Sequence, residues 1–451
     1  MPPDAALRWV PGPAPRSRVA TRLHVTAGLL LGALSLVSAA AGAQRVAPAT
    51  RSASGSPGVP QATDSIEQQA ATRVADAVCD KRVVLLGELP EHGEARGMGV
   101  KARIVERLVA RCGFRAVLFE AGSYDFFGLE RAIAATPLAR SGRAAAADRV
   151  RTDSLELALA RAIGGLWWTR ELAGFRQWLV RQAVAGRVVI GGIDDQPSAT
   201  AAYARATLPD LVRAAAPAAR AGECGEAVAR YLNWRYTAAQ PYDDTERTRL
   251  ADCTRVPADR ATGARRTPDD VMLDDAASFF ARERAADEHG AAAPPDRDLV
   301  MSRHVVWWSA RLPRDTKIVV WTATTHAARA PGAQSVLPQG VPPLGARLAE
   351  RWGDRMAVIG FTALGGQWSR AGRPSQPLAP LPPEALEARA LAARAAGDTA
   401  AWTYLDRAAL RSLGPVSSRL FGKIVTTDWS NAFDGVLVIR DESAPTFEPR
   451  R

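Results

Sequence analysis

Six short apolar runs, separated by longer amphipathic stretches, constrain the fold of this chain more than any other feature. They are VVLL at 83–86, AVLF at 116–119, RVVIGGI at 187–193, KIVVW at 317–321, MAVIGF at 356–361 and GVLVI at 435–439. The runs are rich in Val and Ile, lack polar alternation and are bounded by Gly or charge, which is typical of strands buried on both faces. Because such strands lie in parallel sheets under helices, we expect an α/β fold with three layers, α/β/α, around a mainly parallel sheet.

The stretch between the third and fourth runs departs from this alternation. Residues 196–290 hold no convincing strand and are rich in Ala, Arg and Asp with helical patterning. We predict a helical insertion here, a cap over one end of the sheet, within a domain that spans residues 66–442. Its aromatic segment YLNWRYTAAQPY (231–242) either lines an apolar pocket for a bulky substrate or packs the cap onto the sheet.

The N-terminus has the pattern of a secretory signal peptide. Arginines precede the apolar segment VTAGLLLGALSLVSAAAGAQ, which contains the small residues Ala-Gly-Ala at 41–43. An apolar core of roughly 15 residues is short for a membrane span, so we predict a cleaved signal peptide over residues 1–43 rather than an anchor. The Ser/Pro/Gly-rich residues 44–65 are then a disordered linker. We expect the mature protein to be exported, periplasmic or secreted, with no stable membrane anchor.

Four cysteines lie in the exported part, and an even number in an oxidising compartment favours disulfides. Cys79 and Cys112 each end a helical stretch just before a predicted strand. They could pair if the two strands are neighbours, since both would lie at one sheet edge. Cys224 and Cys253 share one polar helical region and could form a second bridge. No CxxC motif or Cys/His pair has the spacing of a structural zinc site.

The net charge of +11 comes almost wholly from Arg. Proteins that bind nucleic acids concentrate such charge in basic blocks or stripes. Here the arginines are scattered, often beside Ala, without interleaved aromatic residues. The excess of basic residues therefore does not indicate a nucleic-acid partner.

Acids and histidines follow four of the predicted strands. Glu88 and His92 follow the first, in LLGELPEHGEARG, and Glu120 ends the second, in AVLFEAGSYD. Asp194 ends the third, in GGIDDQ, and His326 follows the fourth, in VVWTATTH. The carboxyl ends of strands in an open parallel sheet form one functional rim. A single acid there is commonly a helix cap, but the whole group favours an active site.

These residue types favour hydrolysis. A His held by carboxylates stays in one tautomer and can deprotonate a water molecule. Lys101, Arg297 and Asp194 are candidates for binding the substrate or the oxyanion that forms on its carbonyl group. No GxSxG motif is present, so water is the expected nucleophile. The two His and several carboxylates could instead hold a divalent metal ion, although no HExxH-type spacing supports a metal site.

The same motifs, in the same order, resemble those of the erythromycin esterases and their succinoglycan-biosynthesis-related relatives. In that family a strand ends in Gly-Glu, His-Gly follows, and then come a helix, Gly-Phe, a strand and Glu-Ala. The segment VVLLGELPEHGEARGMGVKARIVERLVARCGFRAVLFEAG has this order. Further resemblances are carried by WWTRELAGFRQWL, GGIDDQ, RDLVMSRHVVW, VVWTATTHAA and FDGVLVI, so that the likeness covers residues 66–442. It implies an α/β/α fold with helical additions and hydrolysis of an ester or lactone by a His-activated water, with no clear need for a metal.

The resemblance also implies roles for individual residues. His92 corresponds to the general base, Glu88 and Glu120 to its carboxylate partners, and His326 to the second His of the late motif. Glu88 stands four residues before His92, where the family usually has three, so Glu91 is an alternative partner.

Two further positions depart from the family pattern. Lys101 stands where the family has Arg, which keeps the charge but loses the bidentate guanidinium. The first His of the late motif is Ala323 in this chain. His304, on one helical face with Arg297, could replace the missing imidazole, or it packs near Trp308 without a role in the site.

Three hypotheses about function remain open. The first is an exported hydrolase that acts on a carboxylic ester or lactone, a small-molecule substrate, through a His-activated water and without a cofactor. The second is a metal- or haem-binding protein, or a metal-dependent hydrolase, of the same superfamily, with Tyr124 and His326 as the candidate haem ligands at the rim. The third is a binding protein that has lost catalysis, as Ala323 suggests.

Overall fold

The computed structural model describes residues 61–136, 145–197, 201–255, 266–285, 296–330, 341–393 and 401–448. The signal peptide predicted at 1–43 and most of the linker predicted at 44–65 lie outside these residues. The described chain begins with helix α1 (Gln61–Val78), so helical structure starts before residue 66, where we expected the domain to begin. Within the described ranges, no helix has both the length and the apolar character needed to cross a membrane.

The sheet is mainly parallel, and all six apolar runs form parallel strands in it. The strands in chain order are β1 (Val83–Leu86), β2 (Phe114–Gly122), β3 (Val189–Asp194), β4 (Lys317–Trp321), β5 (Met356–Trp368), β6 (Gln376–Pro377), β7 (Trp402–Asp406), β8 (Val416–Ser418), β9 (Val425–Thr427) and β10 (Gly435–Glu442). The order across the sheet is β3-β2-β4-β1-β5-β10-β7. Each neighbouring pair is parallel except β10 with β7. The short β6 pairs with the end of β5, and β8 and β9 form a separate hairpin.

Each face of the sheet carries its own apolar layer because successive side chains of a strand point to opposite sides. In β1, Val83 and Leu85 enter one core, whereas Val84 and Leu86 enter the other. The first core is covered by α6 (Ala202–Ala215), α7 (Ala221–Leu232), α8 (Asp244–Thr254), α9 (Pro268–Ala285), α10 (Arg297–Arg311), α12 (Leu344–Trp352), α13 (Leu386–Ala392) and α14 (Arg407–Leu413). The second is covered by α1, α2 (Ala95–Cys112), α4 (Ala145–Ala162) and α5 (Ala173–Val184), and α3 (Ser123–Ala134) contributes to both. The expected α/β/α layering is confirmed.

The region expected to form a cap contributes α6 to α9, and the described residues between β3 and β4 include no strand. Helix α9 reaches the carboxyl ends of two strands. Its Asp275 accepts a hydrogen bond from Ser123, just after β2, and its Arg282 donates to Asp195, just after β3.

The aromatic segment 231–242 packs within this helical region. Tyr231 lies 4.9 Å from Phe280 between ring centroids, and Trp234 lies 5.4 Å from Tyr242. The hydroxyl of Tyr242 donates to Glu283 at 3.1 Å. These contacts join residues of the helical region to one another, so they show aromatic packing within the cap and not of the cap onto the sheet.

Both expected cysteine pairs are disulfide-bonded, Cys79 with Cys112 and Cys224 with Cys253. The reason we gave for the first pair was wrong, since β4 lies between β1 and β2 in the sheet. The two cysteines meet instead at the start of β4. There Lys317 donates to the backbone carbonyls of Cys79 and Cys112 at 2.7 and 3.0 Å.

Candidate active site

The carboxyl ends of β3, β2, β4 and β1 lie side by side, since these four strands are neighbours in that order. Asp194, Glu120, Thr322 and Glu88 stand at or just beyond these ends and are all buried. The strands therefore place three acids and one threonine, from four separate sequence motifs, along one edge. Two clusters of charged side chains form there.

The first cluster is built around His92 and Glu88, directly after β1. His92 Nδ1 donates to Glu88 Oε1 at 2.5 Å, and both side chains are almost completely buried. His92 has a backbone φ of 53°, in the left-handed region that non-glycine residues seldom adopt. Its N–H donates to the carbonyl of Leu89 at 2.9 Å, which closes a tight turn. The turn brings the imidazole back to Glu88 across the four-residue spacing that departs from the family pattern.

Each carboxylate oxygen of Glu88 accepts two hydrogen bonds. Oε1 also accepts from Trp167 Nε1 at 2.8 Å, while Oε2 accepts from Lys101 Nζ at 2.8 Å and Trp321 Nε1 at 3.0 Å. Burial raises the pKa of Glu88, but the charge of Lys101 and the hydrogen bond from His92 outweigh it and hold the pKa below its ordinary value. The carboxylate is therefore ionised at neutral pH and can only accept hydrogen bonds. It holds His92 in the tautomer with the proton on Nδ1.

Lys101 is completely buried beneath this pair. Its ammonium lies 4.3 Å from the ring centroid of Trp321 and donates to Glu88. Burial lowers the pKa of Lys101 to about 8, although Glu88 acts in the opposite direction. We expected Lys101 to contact substrate or an oxyanion. Its position instead makes it the counterion of Glu88.

The second cluster is centred on Arg297, the first residue of α10. Its guanidinium holds Asp194 bidentately, with Nε to Oδ1 at 3.0 Å and Nη2 to Oδ2 at 2.7 Å. Nη2 also donates to Glu120 Oε1 at 3.0 Å, and Nη1 lies 3.2 Å from His326 Nε2. Buried Asp194 is thus placed to orient Arg297, and its negative charge makes it unsuited to bind an oxyanion. About a quarter (24%) of the Arg297 side chain remains exposed.

His326 belongs to this second cluster. It lies in the short helix α11 (Thr324–Ala327), and its Nδ1 donates to Asp298 Oδ1 at 2.8 Å. Asp298 also accepts from the backbone N–H of Leu344 at 2.7 Å. Burial lowers the pKa of His326, but Glu120 and Asp298 outweigh it, so that the pKa lies above its ordinary value.

Glu120 joins the second cluster rather than forming the hydrogen bond to His92 that we expected. Its Oε2 accepts from the hydroxyl of Thr322 at 2.6 Å and from the N–H of Ala323 at 2.8 Å. Burial raises the pKa of Glu120, but His326, Arg297 and His92 lower it far below its ordinary value. Because His92 takes part in this effect, the two clusters share one electrostatic environment.

The family model of erythromycin esterase matches residues 109–442, about three quarters of the chain. The chain belongs to the erythromycin esterase family. Membership makes the protein an esterase-like hydrolase of a small-molecule ester, and it confirms the resemblance drawn from the motifs. The match begins after Glu88, His92 and Lys101, so these three residues lie outside it.

Three solved structures share the fold of this erythromycin esterase family member. A Bacillus cereus protein is 15% identical with a TM-score of 0.57, over 86% of this chain and 99% of its own. A succinoglycan biosynthesis protein is 14% identical with a TM-score of 0.54, over 87% and 100%. A mutant of the erythromycin esterase EreC in its open conformation is 17% identical with a TM-score of 0.55, over 84% and 95%. No curated protein matches the sequence.

Three other residues that we considered for the family site lie elsewhere. Glu91 faces Gly422, whose added Cβ would lie 2.9 Å from Glu91 Oε1. His304 Nε2 donates to Asp275 Oδ1 at 2.7 Å and forms no hydrogen bond with Arg297 or His326, so it does not replace the imidazole missing at 323. The hydroxyl of Tyr124, a candidate haem ligand, donates to the backbone carbonyl of Asp195 at 3.0 Å.

Four residues of the site were not assigned a role from the sequence. They are Trp167, Trp321, Asp298 and Thr322. Each lies in a motif that resembles the esterase family, namely WWTREL, RDLVMSRH or VVWTATTH. Their positions in these motifs were the available signal, but their contacts depend on the packing of distant segments.

Metal binding was an alternative for this family member. Among the described residues, His, Cys, Asp and Glu side chains form no group of three or more that could hold a metal ion. In the second cluster, Asp194 and Glu120 pair with Arg297.

Proposed function

We propose that this protein is an exported hydrolase of carboxylic esters or lactones in which His92 deprotonates the attacking water. The hydrogen bond of 2.5 Å between His92 and ionised Glu88 carries the proposal. It keeps the proton on Nδ1, so that the lone pair of Nε2 can take a proton from water. Among the described residues, none forms a hydrogen bond with Nε2.

The reaction follows from this arrangement. Water attacks the carbonyl carbon while His92 Nε2 takes one of its protons, and the carbonyl oxygen becomes an oxyanion. Glu88 stabilises the imidazolium that forms. The bond between the carbonyl carbon and the alcohol oxygen then breaks, and His92 returns the proton to that oxygen. The products are a carboxylic acid and an alcohol, joined in one molecule when the substrate is a lactone.

Arg297 is the candidate for binding the oxyanion. It is the charged group of the second cluster that retains exposed surface, and Asp194, Glu120 and His326 fix its orientation. Asp194 and Glu120 raise the pKa of Arg297 well above its ordinary value even though burial opposes them. A preorganised cation of this kind stabilises the charge that develops during attack.

Export is the second part of the proposal. The pattern of residues 1–43 supports it, and two disulfides suit an oxidising compartment. Fractionation of cells that express the full chain tests it. We expect a protein that begins near residue 44 outside the cytoplasm, and full-length protein in the cytoplasm would contradict export.

Turnover by the mature protein tests the role of His92. Wild type and His92→Gln would be incubated with erythromycin and a panel of simple esters and lactones, and mass spectrometry would detect the gain of one water. We expect wild type to hydrolyse at least one compound and His92→Gln to be slower by about 100- to 10,000-fold.

Arg111→Ala, an exposed change at the end of α2, is the control and should retain the wild-type rate. Circular dichroism establishes that each variant is folded. An unchanged rate in folded His92→Gln would contradict the mechanism. No turnover of any compound by the wild type would contradict the hydrolase assignment for these substrate classes.

A further inference from the structure

A second region of the molecule has the properties of a ligand site. A cavity of about 640 Å³ lies between α8, α9 and α10, within the range typical of small-molecule sites. Its lining includes neither His92 nor Arg297. The cavity is thus separate from the residues to which we assign catalysis.

The charged lining of this cavity is predominantly basic. The charged residues are Arg255, Arg266, Arg284, Arg303, Asp274 and Asp275. Both acids are already engaged, Asp274 by an ion pair with Arg266 and Asp275 by hydrogen bonds from Ser123 and His304. Arg255 and Arg284 are paired as well, at 2.9 and 3.8 Å from Asp252 Oδ1. Among the described residues, the unpaired positive charge of the lining is therefore that of Arg303, which is suited to an anion.

Among these arginines, Arg303 is the one whose guanidinium is available to bind a ligand. It is exposed on α10, and within the described part of the protein it makes no hydrogen bond or ion pair. Burial lowers the pKa of neighbouring Arg266, Asp275 and Asp270 oppose this effect, and the charge of Arg303 adds a smaller lowering. Arg303 thus lies near Arg266 in the same lining, so one anionic group can interact with both guanidinium groups.

His304 forms part of the same wall and adds to its basic character. The residue is only 3% exposed, and its Nδ1 has no hydrogen-bond partner among the described residues. Burial lowers the pKa of His304, but Asp275, Asp195 and Asp194 outweigh it and raise the pKa above its ordinary value.

The remaining lining is largely apolar. Trp307, Val271 and Val300 contribute side chains, together with several alanines. An inorganic ion would leave this surface without a partner. A ligand with an apolar body and one anionic group would contact both parts of the lining.

We propose that this cavity binds a small organic carboxylate, with its apolar body against Trp307 and its carboxylate at Arg266 and Arg303. Arginine is suited to this ligand because its guanidinium can bind a carboxylate bidentately. The proposal does not depend on the hydrolase activity.

Isothermal titration calorimetry with the mature protein tests the proposal, with benzoate as the probe. Benzamide has the same shape without the charge, and inorganic phosphate has the charge without the apolar body. We expect benzoate to bind at least tenfold more tightly than either. No detectable binding of benzoate, or equal binding of benzamide or phosphate, would overturn the proposal.

Three variants locate the site. Arg303→Ala changes an exposed side chain and should weaken benzoate binding about tenfold, whereas Arg111→Ala, on the opposite face of the sheet, should not change it. His304→Gln should also weaken binding, and its circular dichroism spectrum establishes whether it is folded. Wild-type affinity in Arg303→Ala would overturn the assignment to this cavity even if His304→Gln fails to fold.

Discussion

Replacement of Glu88 by Gln tests whether the centre of the candidate active site is a buried ion pair. The change keeps the shape of the side chain but removes its charge and turns one acceptor oxygen into an N–H donor. The amide nitrogen cannot accept a hydrogen bond, so the two donors that face it lose their acceptor. The pair is either His92 and Trp167 or Lys101 and Trp321, depending on the orientation of the amide.

The cost of this change follows from burial. A buried donor left without an acceptor costs about 1–3 kcal/mol, so two cost about 2–6 kcal/mol. A second estimate comes from buried ion pairs, in which the removal of one partner costs about 3–5 kcal/mol of stability. Lys101, the other partner, is completely buried. We therefore expect Glu88→Gln to lower the free energy of unfolding by about 3–5 kcal/mol at neutral pH.

Urea denaturation with the disulfides intact measures this change, with tryptophan fluorescence as the signal. Glu350→Gln, an exposed change on α12, is the matched control and should shift stability by less than about 0.5 kcal/mol. The double variant Glu88→Gln/Lys101→Met should be more stable than Glu88→Gln alone, because it leaves no unpaired charge. A loss below about 1 kcal/mol in Glu88→Gln, less than the cost of a single unpaired donor, would refute the reasoning.

Two further predictions concern the cations of the site. Burial lowers the pKa of Lys101 to about 8 from an ordinary 10.5. At a pH between about 8 and 10.5, Lys101 is mostly protonated in the unfolded state and mostly neutral in the folded state. The free energy of unfolding should therefore rise by about 3 kcal/mol as the pH increases through this range. Urea titrations across this range should show that rise in wild type and not in Lys101→Met, and equal slopes in both would contradict it. Arg297→Lys keeps the charge but cannot hold Asp194 bidentately, so we expect kcat/KM on the best substrate to fall roughly 100-fold in a folded protein. An unchanged kcat/KM would show that the guanidinium geometry is not required.

The parallel strands could be predicted from the sequence because their signature is local. A strand buried on both faces needs an uninterrupted apolar run, and VVLL and KIVVW meet that requirement within a few residues. The order of the strands in the sheet could not be predicted in this way, since it depends on the crossover connections between strands. For example, β4 lies between β1 and β2, although it follows both in the chain. The prediction paired Cys79 with Cys112 correctly but assumed that their strands were neighbours.

The acids and histidines at the rim could be predicted for a related reason. Parallel strands bring their carboxyl ends to one edge whatever their order, so Glu88, Glu120, Asp194 and His326 were expected to lie there. The partners of each residue were not predictable in the same way. Glu120 was expected beside His92, and it hydrogen-bonds to Arg297 and Thr322 instead.

Fold class and rim residues thus followed from the sequence, because hydrophobic pattern and strand-end position are properties of short segments. The pairing of those residues depended on how distant segments pack. The carboxylate of Glu88 accepts a hydrogen bond from Trp321, 233 residues further along the chain, and one from Trp167 on a separate segment. The left-handed turn at His92 directs its imidazole to Glu88. Hydrogen bonds act over about 3 Å, so the choice of partner is made only when the folded chain brings such groups within that distance.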